Sequence, residues 1–270
     1  MGSLKSNTIG EALEEGRFVL GTWVQMNSPE TCQIAGLAGY DFVIIDMEHG
    51  ALSISDVASL VRAARSVDID AIVRVPDSAS TEIRRALDAG ARGILVPGIS
   101  TAEQARAAVA ATIHQPDGTR GACPCVPSMD FGTVPWPARR FGAPDPLTWL
   151  LIENVKAVSD IDAIVAEGPD AVVLGPFDLS MSMGLNGEYT HSAVNDALSM
   201  VVEAARRADV DAVYVAVDQA PQANADGVLR ARRAGCRLAT TFIDRTLLAH
   251  TYRGTVGAIH ESLRQLPPED

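Results

Sequence analysis

Several ionisable residues stand where short apolar runs end, and their types suit the activation of a carbonyl group. The run FVIID leads into Met47-Glu48-His49-Gly50, so Asp46, Glu48 and His49 follow one apolar stretch. Arg74 lies between Val73 and Val75, LLIEN brings Glu153 to the end of a second run, and VVLGPFDLS carries Asp178 just past a Gly175-Pro176 turn. Taken singly, Asp46 or Glu48 reads as a helix cap and His49 as a hydrogen-bonded packing residue. Arg74 and Glu153 resist that reading, because a charge flanked by apolar neighbours needs an opposite charge or an ionic ligand. Two carboxylates from neighbouring strands can offer an oxygen-rich site to Mg²⁺ or Mn²⁺, completed by waters and substrate oxygens. In such a mouth a metal and a guanidinium polarise a carbonyl, and an Asp–His pair moves a proton. A Schiff-base route needs a lysine in the same place. Lys5 and Lys156 are the only lysines, one in the N-terminal segment and one just past the fifth apolar run, which argues against that route.

For these groups to converge, the runs that carry them must be strands of one sheet. Eight β-branched runs read as strands, at 19–25, 42–46, 71–75, 93–97, 148–153, 171–174, 212–217 and 238–242. Helical patterns fill the intervals, at 29–38, 55–66, 80–89, 102–112, 158–166, 192–207 and 220–234, and a last one runs from 244 to about 266. Alternation of this kind marks repeated βα units. Ser28-Pro29 supplies a helix cap with proline at the first helical position. Gly39, Gly90 and Gly235 stand where helices should stop, each just ahead of a strand. An open doubly wound sheet would carry a glycine-rich nucleotide loop after its first strand, but that junction reads QMNSPET. The expectation is therefore an α/β fold: one (β/α)₈ TIM-barrel domain over residues 1–270 with a long C-terminal helix, its active site at the C-terminal ends of the strands. Residues 113–147 break the rhythm. They are rich in Pro and Gly without periodicity, and read as a functional or disordered loop. The LPPED tail reads as frayed.

Composition narrows the partners. Acidic residues outnumber basic ones by 34 to 22, and the resulting charge of −12 repels nucleic-acid phosphates and anionic membranes. No apolar run is long enough to cross a bilayer, and the polar N-terminus has no secretory core. Cys123-x-Cys125 lacks a second Cys or His pair at zinc spacing, so the four cysteines read as reduced thiols of a cytoplasmic protein.

Beyond these residues, GTW, DFVIIDMEHG, VRV, DAGARGILVPGISTAEQAR, PDGTRG, LLIEN and VVLGPFDLSMSMG occur in order. Over roughly residues 9–250 the chain thereby resembles the HpcH/HpaI family of class II, metal-dependent 2-oxo-acid (pyruvate) aldolases. The resemblance implies a (β/α)₈ barrel that cleaves a 4-hydroxy-2-oxo acid reversibly to pyruvate and an aldehyde through a metal-stabilised enolate. By motif it implies Glu153 and Asp178 as ligands of Mg²⁺ or Mn²⁺, with Co²⁺ as an alternative. It implies His49 with Asp46 in proton transfer and Arg74 at the keto oxygen. The segment Gly175, Pro176, Phe177 and Asp178 would hold the pyruvate carboxylate, and Arg120 would lie near the site. It further implies a homo-oligomer, a hexamer built from dimers that exchange C-terminal helices, with a small 2-oxo acid and an aldehyde or other acceptor as the only partners. Three positions depart from the pattern: Leu151 stands for Gln, Asn154 for Thr and Gly98 for Met. The metal and pyruvate half is kept while the half that meets the second substrate is altered. Oxaloacetate decarboxylation or macrophomate-synthase-like capture of the enolate stays open on that ground. So does a non-catalytic descendant, although uncompensated charges in a barrel mouth weigh against it.

Overall fold

Successive side chains of a β-strand point to opposite faces, so parity along each run decides which residues can meet. A computed structural model describes residues 9–142, 144–218 and 220–265, which leaves Lys5 and the LPPED tail outside the described residues. Its strands are β1 (Val19–Val24), β2 (Phe42–Asp46), β3 (Asp70–Arg74), β4 (Gly93–Val96), β5 (Leu147–Ile152), β6 (Ala171–Leu174), β7 (Asp211–Val215) and β8 (Leu238–Ile243). They pair in parallel in chain order and close through β1 and β8 into a barrel. The helices are α1 (Ile9–Glu14), α2 (Pro29–Leu37), α3 (Ile54–Arg65), α4 (Ser80–Asp88), α5 (Ala102–Thr112) and α6 (Trp136–Phe141). They continue as α7 (Val155–Ser159), α8 (Ile161–Val165), α9 (Pro176–Ser182), α10 (Ser192–Arg207), α11 (Pro221–Ala234) and α12 (Asp244–Arg264). The fold is a (β/α)₈ TIM barrel with a long C-terminal helix.

One parity fills the barrel. Phe42, Ile44, Ile72, Leu95, Trp149, Leu151, Val173, Val213 and Leu238 form the inner cluster. The other parity, including Val43, Ile45, Val73, Ile94, Leu150 and Ile152, packs against the helices. Phe42 meets Trp149 edge to face at 5.3 Å between ring centroids. Gly21 makes room for that ring, because a Cβ there would stand 2.3 Å from it. Extending the inward parity by one step beyond Ile44, Ile72 and Leu151 places Asp46, Arg74 and Glu153 at the C-terminal mouth.

Helix ends follow the glycine signals. Gly39, Gly90 and Gly235 adopt φ of +100°, +101° and +108°, the left-handed region in which a side chain is strained. Three expectations need adjustment. The pattern at 158–166 resolves into α7 and α8, separated at Asp160, because Asn154 caps a helix earlier: its Oδ1 accepts from the Ala157 amide at 2.8 Å. Short helices α1 and α9 were not anticipated, being too brief to show a period. Residues 113–147 are not a structureless loop. They contain a 3₁₀ turn (Pro127–Gly132) and α6, with Met129 buried and His114 against Trp136 at 5.3 Å. Among the described residues no helix is long and apolar enough to cross a membrane.

Candidate active site

The β2–β3 register sets Asp46 directly beside Arg74. Arg74 donates to both Asp46 oxygens, through Nε at 2.8 Å and Nη2 at 2.5 Å, in the planar fork suited to a carboxylate. Side-chain exposure is 0% for Asp46 and 8% for Arg74, so the pair is buried. Gln25 Nε2 donates to Asp46 at 2.7 Å, and the amides of Glu48 and His49 donate to it at 3.0 and 3.2 Å. The guanidinium sits 4.8 Å from the Trp23 ring, whose indole N–H is anchored on Thr240 Oγ1 at 2.9 Å. Burial pushes the Asp46 carboxyl upward, but hydrogen bonding and charge from Arg74, helped by Gln25, outweigh it and hold the pKa below its ordinary value. Asp46 is thus a fixed anion.

His49 reaches Asp46 through its main chain. Its imidazole is 62% exposed and points its Nε2 toward Glu48 Oε2 at 3.9 Å. The side-chain pairing of Asp46 with His49 is therefore not what the structure shows; Arg74 has taken that carboxylate. Glu48, on the rim but without an assigned role in the sequence reading, also stands 2.9 Å from Arg74 Nη1. The approach is off-axis, since Glu48 Oε2 is buried yet accepts no hydrogen bond. Its i+2 parity with Asp46 was the available signal for an inward role.

Glu153 Oε1 accepts the Gly98 amide at 2.7 Å. Gly98 holds φ +69°, and no atom lies within 4 Å of where a Cβ would stand. Burial raises the Glu153 pKa, and the charges of Glu48 and Asp178 push the same way against the opposing Gly98 hydrogen bond. Burial likewise raises Glu48, with Arg74 and His49 opposing and Asp46 and Asp178 adding repulsion. Glu48, Glu153 and Asp178 therefore sense one another across the mouth. Gly175 permits the approach, because a Cβ there would stand 2.7 Å from Glu153 Cβ. It leads into α9, with Pro176 buried, Phe177 exposed and Asp178 in the first turn. Among the described residues no three acidic, His or Cys groups are close enough to form a closed metal cage. A pair of carboxylates backed by a third is nonetheless an all-oxygen set of the kind Mg²⁺ and Mn²⁺ use with retained waters. A cation there would also relieve the repulsion that raises Glu153.

Arg120 does not join this group. It is buried against Asp88, Nη2 to Oδ1 at 3.0 Å, and borders a cavity with Asp70, Arg92 and Asp145, beside the N-terminal ends of β3 to β5. Its basic character in a glycine loop gave no signal of which end it would occupy. Leu151 is buried in the barrel beneath the mouth, and Asn154 Nδ2 donates to the Ile99 carbonyl at 3.1 Å in addition to capping α7.

Known proteins resemble the chain in sequence and in fold. The model of the HpcH/HpaI aldolase/citrate lyase family matches residues 19–238. A hydroxypyruvate/pyruvate aldolase of Roseobacter denitrificans is 32% identical over 251 residues, covering 91% of this chain and 94% of that protein. Among solved structures, an HpcH/HpaI aldolase/citrate lyase family protein from Burkholderia cenocepacia superposes with TM-score 0.84 at 30% identity, covering 93% of this chain and 98% of that one. Macrophomate synthase superposes with TM-score 0.83 at 26% identity over 99% of this chain and 92% of its own. The chain belongs to the HpcH/HpaI aldolase/citrate lyase family and is an enzyme of the aldolase type, a carbon–carbon lyase.

Proposed function

We propose that this enzyme cleaves a 4-hydroxy-2-oxo acid reversibly to pyruvate and an aldehyde, with a divalent cation held by Glu153 and Asp178. The observation that carries the reading is a buried, fully oriented Arg74 facing the Glu48, Glu153 and Asp178 carboxylates. The cation, Mg²⁺ or Mn²⁺ with Co²⁺ as an alternative, would supply Lewis-acid polarisation of the 2-oxo carbonyl. Arg74 commits two N–H directions to Asp46 and only turns Nη1 toward Glu48, and a guanidinium has five, so N–H groups remain for the keto oxygen. Those donors are preorganised where negative charge develops as the C3–C4 bond breaks and its electrons pass to that oxygen. His49 Nε2, exposed at the mouth, takes the proton leaving the 4-hydroxyl. Asp46 fixes the loop that carries this imidazole by accepting both the Glu48 and His49 amides. Proton return to C3 then yields the pyruvate methyl group. The turn from Gly175 to Asp178 offers the Phe177 and Asp178 amides to the pyruvate carboxylate, Pro176 having none to give.

The test is exchange of pyruvate methyl protons in heavy water. Exchange that requires Mn²⁺ or Mg²⁺ and stops on chelation is expected. A folded protein that exchanges nothing with Mg²⁺, Mn²⁺ or Co²⁺ would overturn the reading. A second reading is favoured by the macrophomate synthase likeness and by Leu151 and Gly98: oxaloacetate supplies the enolate by decarboxylation and another acceptor captures it. Carbon dioxide release from oxaloacetate without aldol turnover would select it.

One domain carries this activity, on small-molecule partners only. A homo-oligomer, a hexamer by family resemblance, is supported by α12, which buries no residue and exposes Leu248, Tyr252, Val256, Ile259 and Leu263. Sedimentation at micromolar concentration tests it, and a monomer would refute it. The four free cysteines support a reducing, cytoplasmic setting.

A further inference from the structure

Among the described residues, seven buried side-chain polar atoms have no hydrogen-bond partner, and five of them belong to residues that line a single cavity of about 210 Å³. They are Arg92 Nε, His114 Nδ1, Arg120 Nε, Ser128 Oγ and Arg139 Nε. The cavity lies at the end of the barrel opposite the catalytic mouth. Asp70 and Ala71 at the start of β3, Arg92 just before β4 and Asp145 just before β5 border it, and the 3₁₀ turn and α6 close it. Arg139 Nε is within 2.7 Å of Asp130 Oδ2, so its lack of a bond is one of alignment. Of the other four, the His114 imidazole lies against the Arg120 main chain, and Arg92 Nε, Arg120 Nε and Ser128 Oγ have no partner.

Five guanidiniums border the cavity, those of Arg65, Arg92, Arg120, Arg139 and Arg140, against the carboxylates of Asp70 and Asp145. Arg65 and Arg92 direct N–H groups to the main-chain carbonyls of Gly90 and Asp145, at 3.2 and 2.6 Å. Arg120 pairs with Asp88 at 3.0 Å and Arg140 with Asp145 at 2.8 Å. Asp70 accepts the Ile9 amide at 2.8 Å, and Glu11 and Asp170 lie within electrostatic reach of the Asp70 and Arg92 charges respectively. With Arg139 also paired to Asp130, carboxylates offset the guanidinium charge, and what the cavity has in excess is buried donors without acceptors. The Arg120 side chain is only 5% exposed and still has its Nε unpartnered, which is costly unless something accepts from it.

We propose that this cavity binds a small tetrahedral oxyanion: inorganic phosphate or the phosphate group of a monoester. Arg92 Nε and Arg120 Nε can only donate, Ser128 Oγ can donate, and His114 Nδ1 does so in one tautomer. A phosphate presents enough acceptor oxygens to take all four together, whereas a monocarboxylate offers two and chloride has no directional lone-pair geometry to match. The volume is below the roughly 300–1,000 Å³ of pockets for drug-sized ligands, so the anion is small. Because the site holds the 3₁₀ turn and α6 over the starts of β3, β4 and β5, its occupation acts on stability and leaves the chemistry at the other end untouched.

The test uses the full-length protein without divalent metal. Thermal unfolding is followed against inorganic phosphate, a glycerol phosphate and chloride at matched ionic strength, with calorimetric titration of both phosphates. A saturable rise in Tm is expected, roughly 5–10 °C at a hundred times Kd, with none from chloride. Ser128→Ala, which removes a hydroxyl that has no partner to lose, weakens phosphate binding about fivefold. Arg92→Gln weakens it at least about tenfold. Neither changes pyruvate proton exchange. Tighter binding of the monoester assigns the remaining space to its organic part, and equal binding assigns the site to free phosphate. An equal rise with chloride, no saturable rise, or Ser128→Ala binding phosphate as the parent does would each overturn the proposal. So would Ser128→Ala raising Tm identically with and without phosphate, the signature of a cavity that is only hydrated.

Discussion

Replacing Asp46 by Asn separates the two things this carboxylate does, neutralising Arg74 and aiming it. The side chain is fully buried and the guanidinium nearly so, joined by bonds of 2.8 and 2.5 Å. Removing one partner of a buried pair costs about 3–5 kcal/mol, mostly because the other charge stays buried without compensation. Here Glu48 remains 2.9 Å from Arg74 Nη1 and is itself partly exposed, so compensation is partial. The loss belongs at the low end, about 3 kcal/mol, or roughly 6–12 °C in Tm for a chain of this size. Asn also offers one acceptor where Arg74 needs two, so the guanidinium swings and kcat/KM falls by about 10²–10³, the usual cost of losing an aligned oxyanion donor. Thermal unfolding and pyruvate proton exchange read the two effects. The decisive comparison is with Asp46→Asn/Arg74→Met. Removing both charges should recover most of the stability and none of the activity. A double variant no more stable than Asp46→Asn alone, or an Asp46→Asn protein with parental Tm, would show that Arg74 is not electrostatically dependent on Asp46 and would refute the reasoning.

Other substitutions probe the acidic side of the mouth. Glu153→Gln keeps an oxygen for the Gly98 amide but removes one of three repelling charges. The cation-free protein should be no less stable, while the Mn²⁺-induced rise in Tm and at least about 10²-fold of the exchange rate disappear. The pKa shifts set a pH dependence with opposite signs. Glu153 and Glu48 are raised by burial, so the stability they contribute is present below the unfolded carboxylate value and is lost as pH rises through their folded values. The contribution of Asp46, whose pKa is lowered, is present above the unfolded value and lost as pH falls through its folded one. Urea unfolding without metal should show the first loss on raising pH beyond the usual carboxylate range, and Mn²⁺ affinity measured by calorimetry should climb over the same interval. Gly98→Ala at φ +69° should cost about 1–2 kcal/mol in unfolding free energy and weaken Mn²⁺ binding through a displaced Glu153, with the barrel intact by circular dichroism.

The sequence showed the strands well because each is an apolar run bounded by polar or glycine residues, and a buried parallel strand has no other way to read. Observed bounds differ from those runs by at most two residues, and β2 and β6 match them. Parity then carried the reading from fold to site: Asp46, Arg74 and Glu153 continue the inward rows of Phe42–Ile44, Ile72 and Trp149–Leu151. What stayed illegible depends on competition between side chains. Nothing in the order Asp46, Glu48, His49 says that Arg74 from the next strand will take Asp46 and leave the imidazole to Glu48. Arg120 was similarly opaque, since a basic residue in a Pro/Gly segment carries no periodicity to say which end of the barrel it serves. The 3₁₀ turn and α6 were hidden for the same reason, each being too short to repeat.

The orientation of the mouth depends on barrel closure as much as on any motif. Gln25, the residue that buttresses Asp46 from just past β1, is held from behind by α12. Asp244 accepts the Gln25 and Met26 amides at 3.1 and 3.0 Å, and Arg245 Nη2 donates to the Gln25 carbonyl at 2.7 Å. Trp23, beneath Arg74, is anchored on Thr240 of β8. The guanidinium is therefore aimed by β2, supported by β1 and fixed in turn by the last strand and helix. These are contacts between the two ends of the chain, which form only when β1 and β8 pair. A barrel opened at that seam would keep its catalytic side chains and lose the geometry that makes Arg74 useful, so the activity is a property of the closed ring.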